Sequence, residues 1–329
     1  FFFFRWPRKT RSRRWPSYGF GLWADGRRRW QRALQLLELA PQADVFSFSA
    51  AMGACEKAAQ WVLALLLLEE MQARRVAPNV VSFNSAISAC EKAVQWQMAL
   101  ALLRQVELLG SQLTAVTFSA AISACEKAAK WQQALATLRR LEAARLSSVV
   151  ACNAAISACR VGGQWQVAAA LLGSMAAKRL RLNVITYSAA MSVCEMSGLW
   201  QLALHLLQEC QRAVGANVVA CNAAISACEK AEQWQRALLL LQLLLIEGVA
   251  TTVSFNACIS ACEKAGQWKQ ALLILKRLEE SPILPSVISF NAACGACANA
   301  RRWRAALQTL RRIRGSGLRP NEITAEGFR

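Results

Sequence analysis

The sequence predicts an all-α solenoid, and three observations carry that prediction. Tryptophan recurs at Trp61, Trp96, Trp131, Trp165, Trp200, Trp234, Trp268 and Trp303, with spacings of 35, 35, 34, 35, 34, 34 and 35 residues. Each interval holds two stretches with apolar residues at helical spacing. Neither stretch can bury its apolar face alone, so successive pairs must stack into one shared core.

The chain opens with a basic segment, residues 1–44, in which Trp30, Ala33 and Leu34 mark a degenerate partial unit. Eight units follow at 45–79, 80–114, 115–148, 149–183, 184–217, 218–251, 252–286 and 287–321. A further unit begins at Glu322 and is cut short within residues 322–329. In the second unit Phe83, Ile87 and Cys90 share one face of a first helix. Ser82 is read as its N-cap, as are Ser47, Thr117, Thr186, Ser254 and Ser289 in their units. A break near residues 94–95 follows, where the seventh unit has Gly266. Trp96, Ala99, Leu100, Leu103 and Val106 then mark a second helix. A less regular stretch closes each unit, ending in Pro-Asn at Pro78-Asn79 and Pro320-Asn321.

Composition narrows the function. The 329 residues are 55% apolar and 18% charged, which excludes a disordered chain. Lys and Arg number 39 against 20 acidic residues, a net charge of +19 that favours a polyanionic partner, nucleic acid before a membrane surface. Arg5, Arg8, Lys9, Arg11, Arg13 and Arg14 crowd an acid-free start that is weakly similar to the tail of an organellar transit peptide. Residue 1 is Phe, and a fragment of a longer protein is one reading of the termini. The longest apolar run, Ala237–Ile246 with Gln242 inside it, is too short for a membrane span and is expected to be a buried helix.

Catalytic and metal chemistry find little material. Cys55, Cys90, Cys125, Cys159, Cys194, Cys228, Cys262 and Cys297 are each the eleventh residue of a unit, a full repeat apart. The one histidine is His205, and Cys294-x-x-Cys297 stands isolated, so these small side chains suit helix packing better than zinc. The recurrent acids Glu56, Glu91, Glu126, Glu195, Glu229 and Glu263 form no catalytic pair. We expect no metal, no cofactor and no enzymatic activity. The tryptophans could stack on bases, but their register with the Ala-Leu-Leu stripe favours the core.

The fifth residue of each unit, Ser49, Asn84, Ser119, Asn153, Ser188, Asn222, Asn256 and Asn291, keeps hydrogen-bonding capacity while varying in shape. First-turn helix polarity is the competing explanation.

A two-helix unit of about 35 residues with "VVSFN" or "VITYS", then "AISACEKA", and ending in "PN", resembles the pentatricopeptide repeat family in its P-type form. The tetratricopeptide repeat fits less well, because Ile87, Ile122, Ile156 and Ile225 stand where it expects glycine. The resemblance implies a right-handed α-solenoid superhelix that binds single-stranded RNA, one unit per base. In that family the fifth and last residues of a unit jointly read the base. The last residues here are Asn79, Thr114, Ser148, Asn183, Asn217, Thr251, Ser286 and Asn321. The family pattern translates to a target near 5′-ACRYACCY-3′, the softest positions being those of the units of 34 residues.

The second residues, Phe46, Val81, Val116, Val150, Ile185, Val219, Val253 and Ile288, would sandwich bases, although a solenoid core would also want them apolar. The thirteenth residues Lys57, Lys92, Lys127, Lys230 and Lys264 form a ladder that could meet phosphates, broken at Val161, Met196 and Asn299. Resemblance further suggests a chloroplast or mitochondrial setting and a role in RNA processing, mRNA stability or translation. Two rival readings remain: a protein–protein scaffold, and the RNA-binding part of a longer RNA-processing enzyme.

Overall fold

The computed structural model describes residues 28–39, 44–110, 113–215 and 217–315; the basic start, Asn321 and the unit beginning at Glu322 lie outside them. Among the described residues there are 17 helices and no strand. Helix α1 (Arg28–Leu39) carries Trp30 and packs on the first complete unit.

Each unit then contributes a first and a second helix. The first helices are α2 (Val45–Lys57), α4 (Val80–Lys92), α6 (Ala115–Lys127), α8 (Val149–Val161), α10 (Val184–Met196), α12 (Val218–Lys230), α14 (Thr252–Lys264) and α16 (Val287–Asn299). The second helices are α3 (Trp61–Ala73), α5 (Trp96–Leu108), α7 (Trp131–Ala143), α9 (Trp165–Ala177), α11 (Trp200–Ala213), α13 (Trp234–Ile246), α15 (Trp268–Glu280) and α17 (Trp303–Gly315).

Successive first helices pack directly on one another, α2 on α4, α4 on α6, and so on to α16. Among the described residues successive second helices have no comparable contacts; each from α3 to α15 wedges between its own first helix and the next one. The row whose members approach most closely is the inner row of a curved stack, so the first helices line the concave side. The fold is the expected α-solenoid.

The repeated small residues explain the close approach. A first helix is covered on both flanks and from behind, so α8 buries Ala151, Cys152, Ala154, Ala155, Ile156, Ala158 and Cys159. The eleventh-residue cysteines are at most 2% exposed. Burial pushes the Cys90 thiol up to about 12, far from the reactive thiolate form. Phe48, Phe83, Phe118, Phe255 and Phe290 fill the space behind them.

The break between the helices of a unit is one recurring geometry. The fifteenth residue of all eight units adopts left-handed φ, from 54° at Ala59 to 68° at Gly198 and Gly266. The turn it makes closes the first helix in the manner of a Schellman cap, as when Val94 N–H donates to Glu91 C=O at 3.1 Å and the next residue's Gln95 N–H to Cys90 C=O at 2.8 Å. The tryptophan then starts the second helix, half-buried against the core in all units but the last, where Trp303 is 59% exposed. Lys130 and Arg302 lie over the faces of Trp96 and Trp268 from the preceding unit, 6.0 and 5.5 Å from the ring centres.

Two expectations are corrected. The first helices begin three residues earlier than the Ser and Thr read as caps. The N-caps are Asp44, Asn79, Thr114, Ser148, Asn183, Asn217, Thr251 and Ser286, the last residue of each preceding unit where there is one. Ser47, Ser82, Thr117, Thr186, Ser254 and Ser289 instead occupy the third helical position; Thr186, Ser254 and Ser289 complete reciprocal capping boxes. Helix α13 is not a buried helix. It belongs to the outer row and leaves Leu239, Leu243 and Ile246 exposed. No helix among the described residues is long and apolar enough to cross a membrane.

Candidate nucleic-acid interface

At about 100° per residue, positions 2, 5, 9, 12 and 13 of a first helix fall within one face. The concave row therefore presents eight copies of that face in succession.

The second residues stand clear of the core on it. Val81, Val116, Val150, Ile185, Val219, Val253 and Ile288 are between 57 and 64% exposed, and Phe46 is 84% exposed. A packing role would have buried them. Eight exposed apolar side chains in one register form a stripe.

Beside this stripe the fifth and last residues of a unit come together. Asn153 Nδ2 donates to Asn183 Oδ1 at 3.4 Å, Asn222 Nδ2 to Thr251 Oγ1 at 3.5 Å, and Asn256 Nδ2 to Ser286 Oγ at 3.3 Å. Ser119 and Ser148 share a hydrogen bond at 3.1 Å. These pairs are 29 or 30 residues apart in sequence and are joined because the next helix starts against the previous one. Ser49 and Asn84 reach their units' last residues indirectly. Ser49 bonds Ser82, which donates to Asn79 Oδ1, and Thr117 links Asn84 to Thr114. Ser188 turns back to the Ile185 carbonyl, and Asn217 accepts from Val219 N–H, so that pair shares no bond. Asn291 Oδ1 is buried without a partner among the described residues, and its companion Asn321 lies outside them.

The last residues therefore have a structural duty as well. As N-caps they accept a backbone N–H, for example Ser82 N–H to Asn79 Oδ1 at 2.8 Å. Small polar side chains at this position follow from capping alone. The fifth residues cap nothing; their polar atoms bond across the boundary between units or, at Ser119 and Ser188, to a carbonyl of their own helix.

Sequence reasoning missed the third residue. Thr117 donates to Asn84 Oδ1 at 2.6 Å, Thr186 to Asn153 at 2.7 Å, Ser254 to Asn222 at 2.6 Å and Ser289 to Asn256 at 2.5 Å. All four are fully buried.

The lysine ladder is more engaged than its spacing suggested. Lys92 pairs with Glu56 at 3.0 Å, Lys127 with Glu91 at 2.9 Å and Lys264 with Glu229 at 2.8 Å. Each is a thirteenth residue meeting the twelfth residue of the preceding unit. All five lysines, Lys57 and Lys230 included, are exposed. Pairs of this kind contribute about 0–1 kcal/mol in water, so a stronger anion can compete for the ammonium.

With this geometry in place, comparison with known proteins is informative. A model described as "Pentatricopeptide repeat domain" matches residues 41–93, 146–196 and 250–300, and one described as "PPR repeat" matches residues 81–111. The chain belongs to the pentatricopeptide repeat family. Among solved structures it is similar to the pentatricopeptide repeat protein PPR10 in complex with an 18-nt psaJ RNA element. That match has a TM-score of 0.55 and 17% identity, over 89% of this chain and 48% of that one. It is also similar to PPR10 from maize, with a TM-score of 0.54 and 18% identity over 91% and 53% of the two chains. The chain thus spans about half the length of these neighbours. No curated protein sequence matches it.

Proposed function

We propose that the chain binds single-stranded RNA along the concave row of first helices, one unit to one nucleotide. The observation that carries this reading is the stripe of second residues, each at least 57% exposed, in register with the polar pairs beside it. Flat bases slot between successive apolar side chains and turn their hydrogen-bonding edges to the fifth and last residues of a unit. That is how helical repeats read splayed single strands. Membership of the pentatricopeptide repeat family and the likeness to PPR10, which was solved with an RNA element, support the same assignment.

In this reading Lys57, Lys92, Lys127, Lys230 and Lys264 meet the phosphates, and three of them first exchange a glutamate for the incoming anion. The target is 5′-ACRYACCY-3′, and the biological setting is organellar RNA processing or stability, as the family resemblance suggests.

The test is fluorescence anisotropy with an RNA of that sequence, a scrambled RNA and the matching duplex, across a salt series. The proposal expects preference for the single-stranded target. It also expects log Kobs to fall with log salt by about 0.7 per phosphate contacted. Equal affinity for duplex and scrambled RNA, or binding insensitive to salt, contradicts it.

A further inference from the structure

We propose that the third residue of each unit sets the hydrogen-bonding polarity of the base-reading residue one unit earlier. It is thus a specificity-determining position that never touches RNA. This rests on the base-reading proposal above and adds a residue to it.

A hydroxyl has a single proton to donate. Thr117 Oγ1 gives its proton to Asn84 Oδ1, so its own bond with Thr114 at 3.0 Å takes the proton of Thr114. The carbonyl end of Asn84 is thereby held against the protein, and the amide end is left to face the groove. In the fourth unit the Thr186 hydroxyl faces two acceptors, Asn153 Oδ1 at 2.7 Å and Asn183 Oδ1 at 2.9 Å, and a second contact fixes the orientation of Asn153. Asn183 Oδ1 accepts the backbone N–H of Thr186 at 2.9 Å, so the Asn153 atom 3.4 Å away must be the donor Nδ2. The sixth and seventh units repeat the arrangement with Ser254 and Ser289. Each Asn so held turns its amide N–H towards the groove and its carbonyl away from it. Asn84 keeps both N–H donors, and Asn153, Asn222 and Asn256 keep one, the other being given to the last residue of the unit. The partner it selects is a base edge rich in acceptors, as a pyrimidine presents at O2 and cytosine also at N3.

Serine units have the opposite polarity. After Ser119 and Ser188 the third residue of the next unit is Ala151 or Ala220, and no hydroxyl reaches back. Ser119 gives its proton to the Ala115 carbonyl at 2.7 Å, and Ser188 gives its own to the Ile185 carbonyl at 3.0 Å. Ser148 then donates in its 3.1 Å bond with Ser119, so Ser119 keeps one lone pair and Ser188 two, which suit a base amino group. Ser49 reaches the same state by another route. Ser82 donates to Asn79 Oδ1 at 2.9 Å, so the 3.1 Å bond between Ser82 and Ser49 takes the proton of Ser49. Asn with a following hydroxyl, and Ser119 and Ser188 with a following Ala, are two settings of one device; Ser49, followed by Ser82, reaches the second setting because Ser82 spends its proton on Asn79.

The experiment measures discrimination at the nucleotide facing the second unit, by competition binding with RNAs that differ there alone. Thr117→Val keeps the side-chain shape and removes the proton. It should cut the pyrimidine-over-purine ratio at that nucleotide by about three- to tenfold, as the loss of one oriented hydrogen bond does, and leave the other positions unchanged. The gain-of-function pair is Ser119→Asn alone against Ser119→Asn with Ala151→Thr. The double variant should switch its nucleotide to pyrimidine, and the single variant should discriminate poorly. This pair keeps the test decisive if Thr117→Val loses helix stability, which a thermal melt reports. Asn84→Ser is the control for the underlying reading. If it changes preference at that nucleotide and Thr117→Val and the paired variants do not, the polarity device is wrong and base reading stands. If Asn84→Ser changes nothing either, base reading itself fails.

Discussion

The ammonium of Lys92 lies 3.0 Å from the carboxylate of Glu56, one unit upstream, and Lys127 with Glu91 and Lys264 with Glu229 repeat the relationship. A ladder of lysines is thus partly neutralised by a ladder of glutamates on the same concave face. Replacing Glu56, Glu91 and Glu229 together by Gln should release three cations for phosphate. RNA affinity should rise at low salt, and the salt slope should steepen by up to about 2. Anisotropy titrations at several salt concentrations check this; unchanged affinity and slope would place the phosphates elsewhere.

The exposed stripe makes a prediction that separates binding from folding. Val116, Val150 and Ile185 are 63 or 64% exposed, so changing all three to Ser removes little buried surface. The melting temperature should stay within the range of ordinary surface substitutions, about 0.5 kcal/mol each. RNA affinity should fall at least tenfold, because three bases lose their apolar platforms. Loss of stability without loss of affinity would return these residues to a packing role.

Val94 holds left-handed φ of 59°, a conformation that a β-branched residue adopts at a cost, while Gly163, Gly198 and Gly266 fill the same place in other units. Val94→Gly should stabilise the protein by about 1 kcal/mol, the strain relieved outweighing the extra freedom of glycine in the unfolded chain. Denaturant unfolding of the two proteins measures it. Destabilisation would mean that the side chain contributes more by its contacts than it costs in backbone strain.

Glu126 is the twelfth residue of its unit, but Val161 stands where Glu56 and Glu91 find a lysine. Burial raises its carboxyl above the ordinary 4.5, opposed by a hydrogen bond from Ser157 and by the charge of Lys127. Because the folded value is the higher one, this group's stabilising contribution is complete below the ordinary value. It is lost as pH rises through the folded value. Glu126→Gln should therefore melt higher than the parent at pH 7, with the difference closing on acidification below 4.5. Thermal melts at both pH values test the sign, and a lower melt at pH 7 would reverse it.

Much of the fold was legible because it is periodic. The Trp register, the small residues of "AISAC" and the apolar faces each follow from one packing problem solved eight times. The N-caps were displaced by three residues for a physical reason. A capping box places hydroxyl or amide side chains at both the N-cap and the third helical position, so Asn79 and Ser82 present the same signal. The bond from Thr117 to Asn84 spans 33 residues and has no local signature. Its trace is nevertheless present: Asn84, Asn153, Asn222 and Asn256 are followed one unit later by Ser or Thr, whereas Ser119 and Ser188 are followed by Ala, and Ser49, followed by Ser82, departs from the pattern. Reading within units hides a correlation between units. The lysine–glutamate pairs were hidden in the same way, since Glu91-Lys92 reads as a neighbouring pair although Lys92 reaches Glu56. Helix α13 was misjudged because an apolar run says nothing about which row of the stack it joins.

The most direct measurement of base reading is selection from random RNA with the parent and with Asn222→Ser. One unit per nucleotide predicts that both recover the same motif, with preference altered at a single position from pyrimidine towards purine. A uniform loss of affinity across all sequences, or the recovery of no motif by the parent, would contradict it.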